Sequence, residues 1–342
     1  MPDSHIKKSR FPLPDETGGQ ENGFFKPLCM TVDWHPRGWL MLKEEVANML
    51  IHEVCKVTGL TKKAIDYYIE KGLIAPSILE NGYRSFDRND VERLKKIAVL
   101  RKLGLGTDEI KSVLSDGSGN ALHTLAVRRQ LDIQREQAKK AILEKLGSGA
   151  SYAEISDELQ AIENGKTIAE KLLEAFPGYY GRFVCLHFAR FLNELIRTES
   201  QQAAYDRIIA FLDDMPPLNL PEDLKAFLME ATDEITTEQI MESLEQTKKN
   251  IENPDEFLSN NREMLEKYMA FRQSDAYRNS PAYRLMAYIK AFNQASGYYD
   301  VFIPAMKALS PSYAEYSKKL EVANEKLLAE YPPGSGEPSG TF

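Results

Sequence analysis

Residues 50–72 of this chain read LIHEVCKVTGLTKKAIDYYIEKG, and they predict two short helices joined by a tight turn. In the first helix, residues 51–57, four apolar side chains can turn to one side together. Gly59 then supplies the left-handed backbone that ends a helix and changes its direction. Thr61 is an N-cap for a second helix over residues 62–71. A helix-turn-helix of this kind presents its second helix to the major groove of DNA.

A hairpin and two further helices are predicted directly after this unit. Residues 77–86 contain Asn81-Gly82, a pair that tolerates positive φ and marks a hairpin turn. Asp87 caps the next helix, and Thr107 begins a short one after two glycines. The sequence therefore predicts a helix-turn-helix with a small wing.

One long, strongly charged helix is predicted over residues 120–147. Its narrow apolar seam consists of Leu122, Leu125, Leu131, Ala138, Ile142 and Leu146. A seam of this spacing predicts a two-stranded coiled coil, and hence a homodimer. The alternative is a helix that packs on its own domain.

Residues 150–331 are predicted to form an all-helical domain. Ser151 and Glu154 form a capping box, and N-caps or prolines mark later helix starts. These later starts are Pro221, Asn253-Pro254, Ser280-Pro281 and Ser310-Pro311. No run of alternating polar and apolar residues competes with the helices. The predicted fold class is therefore mainly α: an N-terminal winged helix-turn-helix over residues 49–117, a long dimerisation helix, and an all-helical C-terminal domain.

The two ends of the chain, residues 1–48 and 332–342, are predicted to be disordered tails. A second hypothesis for the first tail is a misassigned translation start. Lys43-Glu44-Glu45-Val46 implies purine-rich codons that resemble a bacterial ribosome-binding site upstream of Met49. An intact mass of the native protein that includes the first 48 residues would contradict a start at Met49.

Charge and composition restrict the class of protein. The chain has 342 residues, 43% of them hydrophobic, and a net charge of −8. Residues 49–115 carry 12 Lys and Arg against 9 Asp and Glu, a mildly basic segment joined to an acidic remainder. This distribution suits a DNA-binding module attached to a domain with another role.

The three cysteines lie far apart, which argues against a disulfide frame or a structural zinc site. Without a secretory signal or a membrane-spanning run, a cytoplasmic protein is predicted.

Six ordered segments resemble the winged helix-turn-helix of the MerR family of bacterial transcription regulators. They are Ile51-His52-Glu53-Val54, Thr58-Gly59-Leu60-Thr61, Tyr67-Tyr68-Ile69-Glu70-Lys71-Gly72-Leu73-Ile74 with Pro76, Asn81-Gly82-Tyr83-Arg84, Asp90-Val91-Glu92-Arg93-Leu94, and Leu100-Arg101-Lys102-Leu103-Gly104 with Asp108-Glu109-Ile110. The resemblance covers residues 50–115, about a fifth of the chain. The helix at residues 120–147 occupies the place of this family's antiparallel dimerisation helix.

The resemblance implies a set of DNA-binding residues. Those on the second helix are Thr61, Lys62, Lys63, Tyr67 and Tyr68, and those in the wing are Tyr83 and Arg84. One of the two adjacent tyrosines could instead belong to the core. The chain departs from the family at Asp66, where an arginine usually precedes the tyrosine pair. Since a carboxylate repels phosphate, the contacts here must be rearranged or taken over by the two lysines.

A mechanism is also implied by the resemblance. A homodimer binds a pseudo-palindrome in double-stranded DNA, between two promoter elements. The spacing of these elements is too long for RNA polymerase to engage both. An effector then makes the dimer bend and untwist the DNA, so that RNA polymerase engages both elements. The resemblance implies neither a cofactor nor an enzymatic activity. Metal-sensing relatives carry cysteines at the end of the dimerisation helix, and this chain has none between Cys55 and Cys185.

Aromatic side chains in the C-terminal domain predict a pocket for a bulky hydrophobic effector. The candidate residues are Tyr179, Tyr180, Phe183, His187, Tyr283, Tyr288 and Tyr298. The alternative is that they form ordinary cores between helices. A second alternative is that the helical domain binds a protein partner and no small ligand. Cys185 and His187 raise the question of an enzyme, but two residues apart on a helix they point to different sides, and no third catalytic group accompanies them.

Overall fold

A computed structural model describes residues 49–117, 119–176 and 178–332 of the chain. Both predicted tails, apart from residue 332, lie outside the described residues, as does the segment before the proposed start at Met49. The described residues form mainly helices, which confirms the predicted fold class. None of the described helices is long and apolar enough to cross a membrane.

The N-terminal domain combines four helices with a small antiparallel sheet. Its elements are β1 (Met49–Leu50), α1 (Ile51–Thr58), α2 (Lys62–Glu70), β2 (Ser77–Ile78), β3 (Arg84–Phe86), α3 (Arg88–Lys102) and α4 (Thr107–Ser115). The strand order is β1-β3-β2, with Met49 opposite Phe86 and Ile78 opposite Arg84. The strands β2 and β3 form the wing.

Local sequence signals account for these boundaries. Gly59 ends α1 with φ +70°, and its N–H donates to the carbonyl of Cys55. Thr61 caps α2, and Asp87 caps α3 in a reciprocal capping box with Asp90. The apolar faces of these helices meet in one core with Phe86 of the wing. Its fully buried members include Val54, Ile65, Phe86, Leu94, Ile97 and Ile110.

Helix α5 (Asn120–Gly147) connects the two halves of the molecule. Leu125 packs into the core of the N-terminal domain, whereas Val127 and Leu131 pack into the core of the C-terminal domain. Farther along, Ile142 packs against helix α6 (Tyr152–Ala175). The predicted seam, apart from Leu122, is therefore packed within the same chain and does not face a second copy. The N-terminal domain covers Leu125, and the helical domain covers Leu131, Ala138, Ile142 and Leu146.

The C-terminal half is built from α6 and ten further α-helices within the described residues. These are α7 (Gly178–Ala189), α8 (Glu199–Asp213), α9 (Glu222–Thr232), α10 (Thr237–Glu252), α11 (Pro254–Asn260), α12 (Arg262–Gln273), α13 (Asp275–Arg278), α14 (Pro281–Ser296), α15 (Ile303–Leu309) and α16 (Pro311–Glu330). A π-helical turn, Tyr298–Phe302, lies between α14 and α15.

The predicted helix starts in this half are confirmed. Ser151 caps α6 with Glu154, Ser280 caps α14 and Ser310 caps α16. Prolines occupy the first turns of α11, α14 and α16, where their missing N–H costs nothing. The main core lies between α6, α7, α8, α15 and the π-helical turn.

Candidate nucleic-acid interface

The first turn of α2 carries the predicted contacts with phosphate. The Oγ1 of Thr61 accepts a hydrogen bond from the N–H of Ala64 at 3.2 Å, so that its hydroxyl proton remains available to an outside acceptor. Lys62 and Lys63 follow, and both are exposed. Two ammonium groups beside the positive end of a helix dipole make this turn attractive to an anion.

The two tyrosines of α2 separate into one exposed and one buried residue. Tyr67 is 42% exposed, and the Nζ of Lys71 lies 5.6 Å from the centre of its ring. Tyr68 is only 6% exposed and belongs to the core of the N-terminal domain. The structure thus places Tyr67 on the predicted DNA-facing side, whereas Tyr68 packs inside and contacts the edge of the Tyr67 ring.

The wing presents its tip to the outside. Gly82 adopts φ +81°, and the N–H of Tyr83 donates to the side chain of Asn81 at 3.1 Å. Tyr83 is 65% exposed and Ile78 is 74% exposed. A short hairpin with an aromatic ring and an aliphatic side chain at its tip can lie along the sugar-phosphate edge of a groove.

An ion pair joins the wing to α2, the predicted recognition helix. The Nη1 of Arg84 donates to the Oδ1 of Asp66, and each side chain keeps 42% of its surface exposed. Asp66 lies one turn after Lys62 and Lys63 on the outer side of α2. Arg84, a predicted wing residue, therefore neutralises the carboxylate of Asp66, which departs from the family pattern. The sequence motifs, taken separately, did not predict this ion pair.

A second arginine fixes the segment between α2 and the wing to the rest of the domain. The Nε of Arg93 on α3 donates to the carbonyl of Leu73 at 2.5 Å, just after α2 ends. Phe86 of β3 is fully buried beneath the same region. Because Phe86 anchors β3 in the core and Arg84 contacts Asp66, α2 and the wing form one continuous surface. This surface can contact a groove and the adjacent backbone at the same time.

The predicted effector residues do not converge on one pocket. Tyr179, Phe183 and His187 follow one another along one side of α7, with ring centres 6.4 Å and 6.3 Å apart. Tyr180 and Tyr298 lie with Phe176 in another part of the same core. Tyr283 and Tyr288 lie on α14, outside that core.

Hydrogen bonds and burial hold several of these aromatic side chains in place between the helices. The Nδ2 of Asn293 donates to the hydroxyl of Tyr180 at 3.0 Å, and burial raises the pKa of Tyr180 to about 12. The hydroxyl of Tyr288 donates to the carbonyl of Asn219 at 2.5 Å. Packing between helices, the alternative to an open pocket, describes most of these aromatic residues.

Burial favours the uncharged forms of Cys185 and His187. Burial raises the pKa of the Cys185 thiol to about 12, so it stays protonated at neutral pH. Burial, with a smaller effect from the charge of Arg190, lowers the pKa of His187 to about 3, so its imidazole stays neutral. Aromatic rings surround His187 at centre distances of 4.8 Å to Phe188 and 5.5 Å to Tyr316.

Two surface grooves lie elsewhere on the helical domain. The larger, about 1110 Å³, runs between the end of α5, the start of α6 and residues 195–197, and its lining includes Glu144, Lys145 and Glu158. The smaller, about 740 Å³, lies between the end of α10, α11 and α16. Among the residues that the structure describes, no group of three or more His, Cys, Asp or Glu side chains is arranged to hold a metal ion.

Comparison with known proteins agrees with the geometry of the N-terminal domain. Residues 49–117 match the family described as MerR HTH family regulatory protein. The HTH-type transcriptional regulator CueR of Vibrio cholerae El Tor is 34% identical over 134 residues, which are 39% of this chain and 84% of that protein. CueR of Escherichia coli O157:H7 is 30% identical over 131 residues, 38% of this chain and 84% of the relative.

A third relative matches over a shorter segment. The heavy metal-dependent transcription regulator 2 of Rhizobium meliloti is 38% identical over 68 residues, 20% of this chain and 46% of that protein. No solved structure matches the chain.

Proposed function

This chain belongs to the MerR family of helix-turn-helix regulatory proteins, and from that premise we propose that it binds a promoter pseudo-palindrome as a homodimer and responds to an effector by distorting the DNA. The observation that carries the proposal is the joint surface of α2 and the wing. Three cationic side chains and two exposed tyrosines lie on it, on elements whose spacing the core fixes.

Each exposed residue of this surface has a proposed role. Thr61, Lys62 and Lys63 bind phosphates and base edges at the entry of α2 into the major groove. Tyr67 contacts the sugar-phosphate backbone beside them, and Tyr83 and Arg84 meet the flanking backbone or the minor groove. Tyr68 supports this surface from the core.

The proposed dimer interface is the outward face of α5. Spacings of four and three residues alternate along it, as in a coiled-coil seam. Its exposed members are Leu122, Ala126, Arg129, Ile133, Glu136, Lys140, Leu143 and Gly147. Ile133 is 52% exposed and Leu143 is 68% exposed, so large apolar side chains lie uncovered along the length of the helix.

Charge along this face favours an antiparallel pairing. With Ile133 at the two-fold axis, Arg129 faces Glu136 of the second copy, and Leu122 faces Leu143 of the second copy. A parallel pairing would instead bring Arg129 against Arg129. Since opposite charges attract and like charges repel across a helix interface, the antiparallel register is the stable one.

An antiparallel α5 pair would hold the two DNA-binding domains at a fixed separation. Each copy then takes one half-site, so the dyad of the protein matches the dyad of the DNA. Because Leu125 packs in the DNA-binding domain and Leu131 in the helical domain, a change in the helical domain can alter the position of the recognition helices through α5. We propose that this coupling bends and untwists the promoter for RNA polymerase.

The proposed effector is a hydrophobic small molecule bound by the C-terminal domain. Support comes from Tyr179, which contacts the main core and also packs against the separate cluster of α9 and α14 that includes Tyr288. Tyr179 of α7 and Tyr288 of α14 thus pack against the same cluster. A ligand inserted there would separate the two clusters and shift α7 against α5.

Enrichment of genomic fragments by the purified protein, followed by footprinting, tests this function. The expected result is protection of a dyad-symmetric site between promoter elements by a dimer. Hydrophobic compounds that raise the melting temperature should then change the footprint at the centre of the site. Protection of a single half-site, or recovery of fragments no different from bulk DNA, would contradict the proposal.

A protein partner for the helical domain is the second candidate. Phe271, Met286 and Tyr299 remain partly exposed on α12, α14 and the π-helical turn. A stable complex with another protein, recovered from the native host, would favour this candidate over a small-molecule effector. The same chain should then show no change in melting temperature with any tested compound.

A further inference from the structure

The Asp66–Arg84 ion pair already engages the wing arginine in the free protein. A carboxylate and a phosphate compete for the same guanidinium donors, because both present anionic oxygens that accept hydrogen bonds from arginine. Asp66 already accepts the hydrogen bond from the Nη1 of Arg84. The positive charge of the wing is therefore largely cancelled before DNA arrives.

Position and exposure allow this pair to exchange partners. Both side chains are 42% exposed, so the pair lies at the surface and contributes little to folding stability. Arg84 is on β3 opposite Ile78, at the base of the exposed wing tip, and Asp66 is on the outer side of α2. A phosphate that lies between the recognition helix and the wing would approach both members of the pair.

We propose that Asp66 is a specificity-determining residue that acts as an internal substitute for phosphate. It holds Arg84 on ordinary DNA, where contacts are too few to displace it, and releases it only when a matched site brings a phosphate into the gap. General affinity for DNA is thereby lowered, while binding to the matched site retains the Arg84 contact. This inference rests on the proposed DNA-binding function.

A mutant cycle on DNA of arbitrary sequence tests the proposal without knowledge of the operator. The variants are Asp66→Asn, Arg84→Gln and their combination, and binding of each full-length chain to a fluorescein-labelled duplex is followed by anisotropy over a range of KCl concentrations. Circular dichroism confirms the fold of each, and Asp66→Ser replaces Asp66→Asn if the latter is unfolded.

We expect Asp66→Asn to tighten binding several-fold and to steepen the slope of log affinity against log salt by about 0.9, the value of one added phosphate contact. Arg84→Gln should weaken binding of the parent, because it leaves the Asp66 carboxylate unpaired near phosphate, and should weaken binding of Asp66→Asn more strongly, because Arg84 is free to contact phosphate only when Asp66 is absent. The exchanged pair, Asp66→Arg with Arg84→Asp, should keep a slope near that of the parent.

Two results would overturn the inference while leaving the DNA-binding function intact. Equal gains from Asp66→Asn with and without Arg84 would mean that Asp66 merely repels DNA. A loss of affinity in Asp66→Asn would mean that the pair positions Arg84 for contact. If folded parent and variants alike show no salt-dependent binding to duplex DNA, the proposed function fails and this inference fails with it.

Discussion

Lys63 lies exposed in the first turn of α2, on the side that we propose faces phosphate. Replacing it with alanine removes one cationic contact and leaves the helix cap at Thr61 in place. We expect Lys63→Ala to weaken DNA binding and to lower the salt slope by about 0.9. Fluorescence anisotropy at several salt concentrations measures both quantities.

A matched control for Lys63→Ala is Lys248→Ala, which removes an exposed lysine from α10 in the helical domain. The control should keep the parent's affinity and salt slope. Equal effects of the two substitutions would indicate that only net charge matters, and the assignment of α2 as the recognition helix would be lost.

His187 is the residue for which the structure predicts a pH dependence. Its pKa is about 3 in the folded chain against an ordinary value of 6.5. Between these values the unfolded chain takes up a proton that the folded chain does not, so acidification below about 6.5 lowers the free energy of unfolding. The contribution is absent above that pH, where the ring is neutral in both states.

We therefore expect the melting temperature of the parent to fall more between pH 7 and pH 5 than that of His187→Phe, a variant that keeps an aromatic ring in the same cluster. The comparison concerns the two slopes, whatever the absolute stability of the variant. Val57→Ala, at an exposed position of α1 without a titratable group, is the control and should keep the parent's slope. Parallel curves for parent and His187→Phe would refute the predicted proton uptake.

At the scale of elements, α6 packs closely on the segment that follows α7. A Cβ at Gly165 would lie 2.8 Å from the carbonyl oxygen of Leu192 and 3.3 Å from its Cβ. Because backbone must move to make room, Gly165→Ala should lower the free energy of unfolding by about 1–3 kcal/mol. Chemical denaturation monitored by circular dichroism measures the change.

The control for Gly165 is Gly147→Ala at the end of α5, where an added Cβ meets nothing within 4 Å. Alanine favours the helix there, so stability should stay the same or rise slightly. A loss of stability at Gly147 as large as that at Gly165 would show that helix packing is not the cause.

Helix boundaries were predictable where a cap or a proline marks them. Ser151, Ser280 and Ser310 each accept a hydrogen bond from the first turn of a helix, as the sequence predicted. Starts at α8 and α10 were missed, although Thr198 and Thr236 cap them by the same chemistry. The capping residues there lack the neighbouring proline that drew attention to other starts.

At the scale of the whole molecule, sequence periodicity alone could not decide which face of α5 meets the same chain. The predicted seam and the outward face both have helical spacing, and only the packing of α6, α7 and α10 against α5 distinguishes them. The Asp66–Arg84 pair was hidden for a related reason, since 18 residues separate the partners and tertiary structure brings them together. The aromatic residues predicted to line one pocket are divided between separate clusters, and this division depends on long-range packing that sequence spacing does not show.

The antiparallel dimer predicts a specific effect at Ile133. Ile133→Lys places two like charges at the proposed two-fold axis and should shift the protein from dimer to monomer. Val322→Lys, at a similarly exposed position of α16, should leave the dimer unchanged. Analytical ultracentrifugation distinguishes these species, and a dimeric Ile133→Lys would move the interface away from this face of α5.

Charge exchange tests the register of the same interface. Arg129→Glu should weaken the dimer, because it faces Glu136 of the second copy, and adding Glu136→Arg should restore it. A double variant no more dimeric than Arg129→Glu would contradict the antiparallel register.

The most direct measurement of the central claim, that this chain is a DNA-binding regulator, is a salt titration of its binding to the DNA upstream of its own gene. Regulators of this kind often control themselves or a neighbour, so we predict tight, salt-sensitive binding that a scrambled duplex of equal length does not match. Lys63→Ala should lower the affinity for the upstream DNA and the salt dependence of that binding. Equal affinity for the two duplexes, unchanged by Lys63→Ala, would contradict the account.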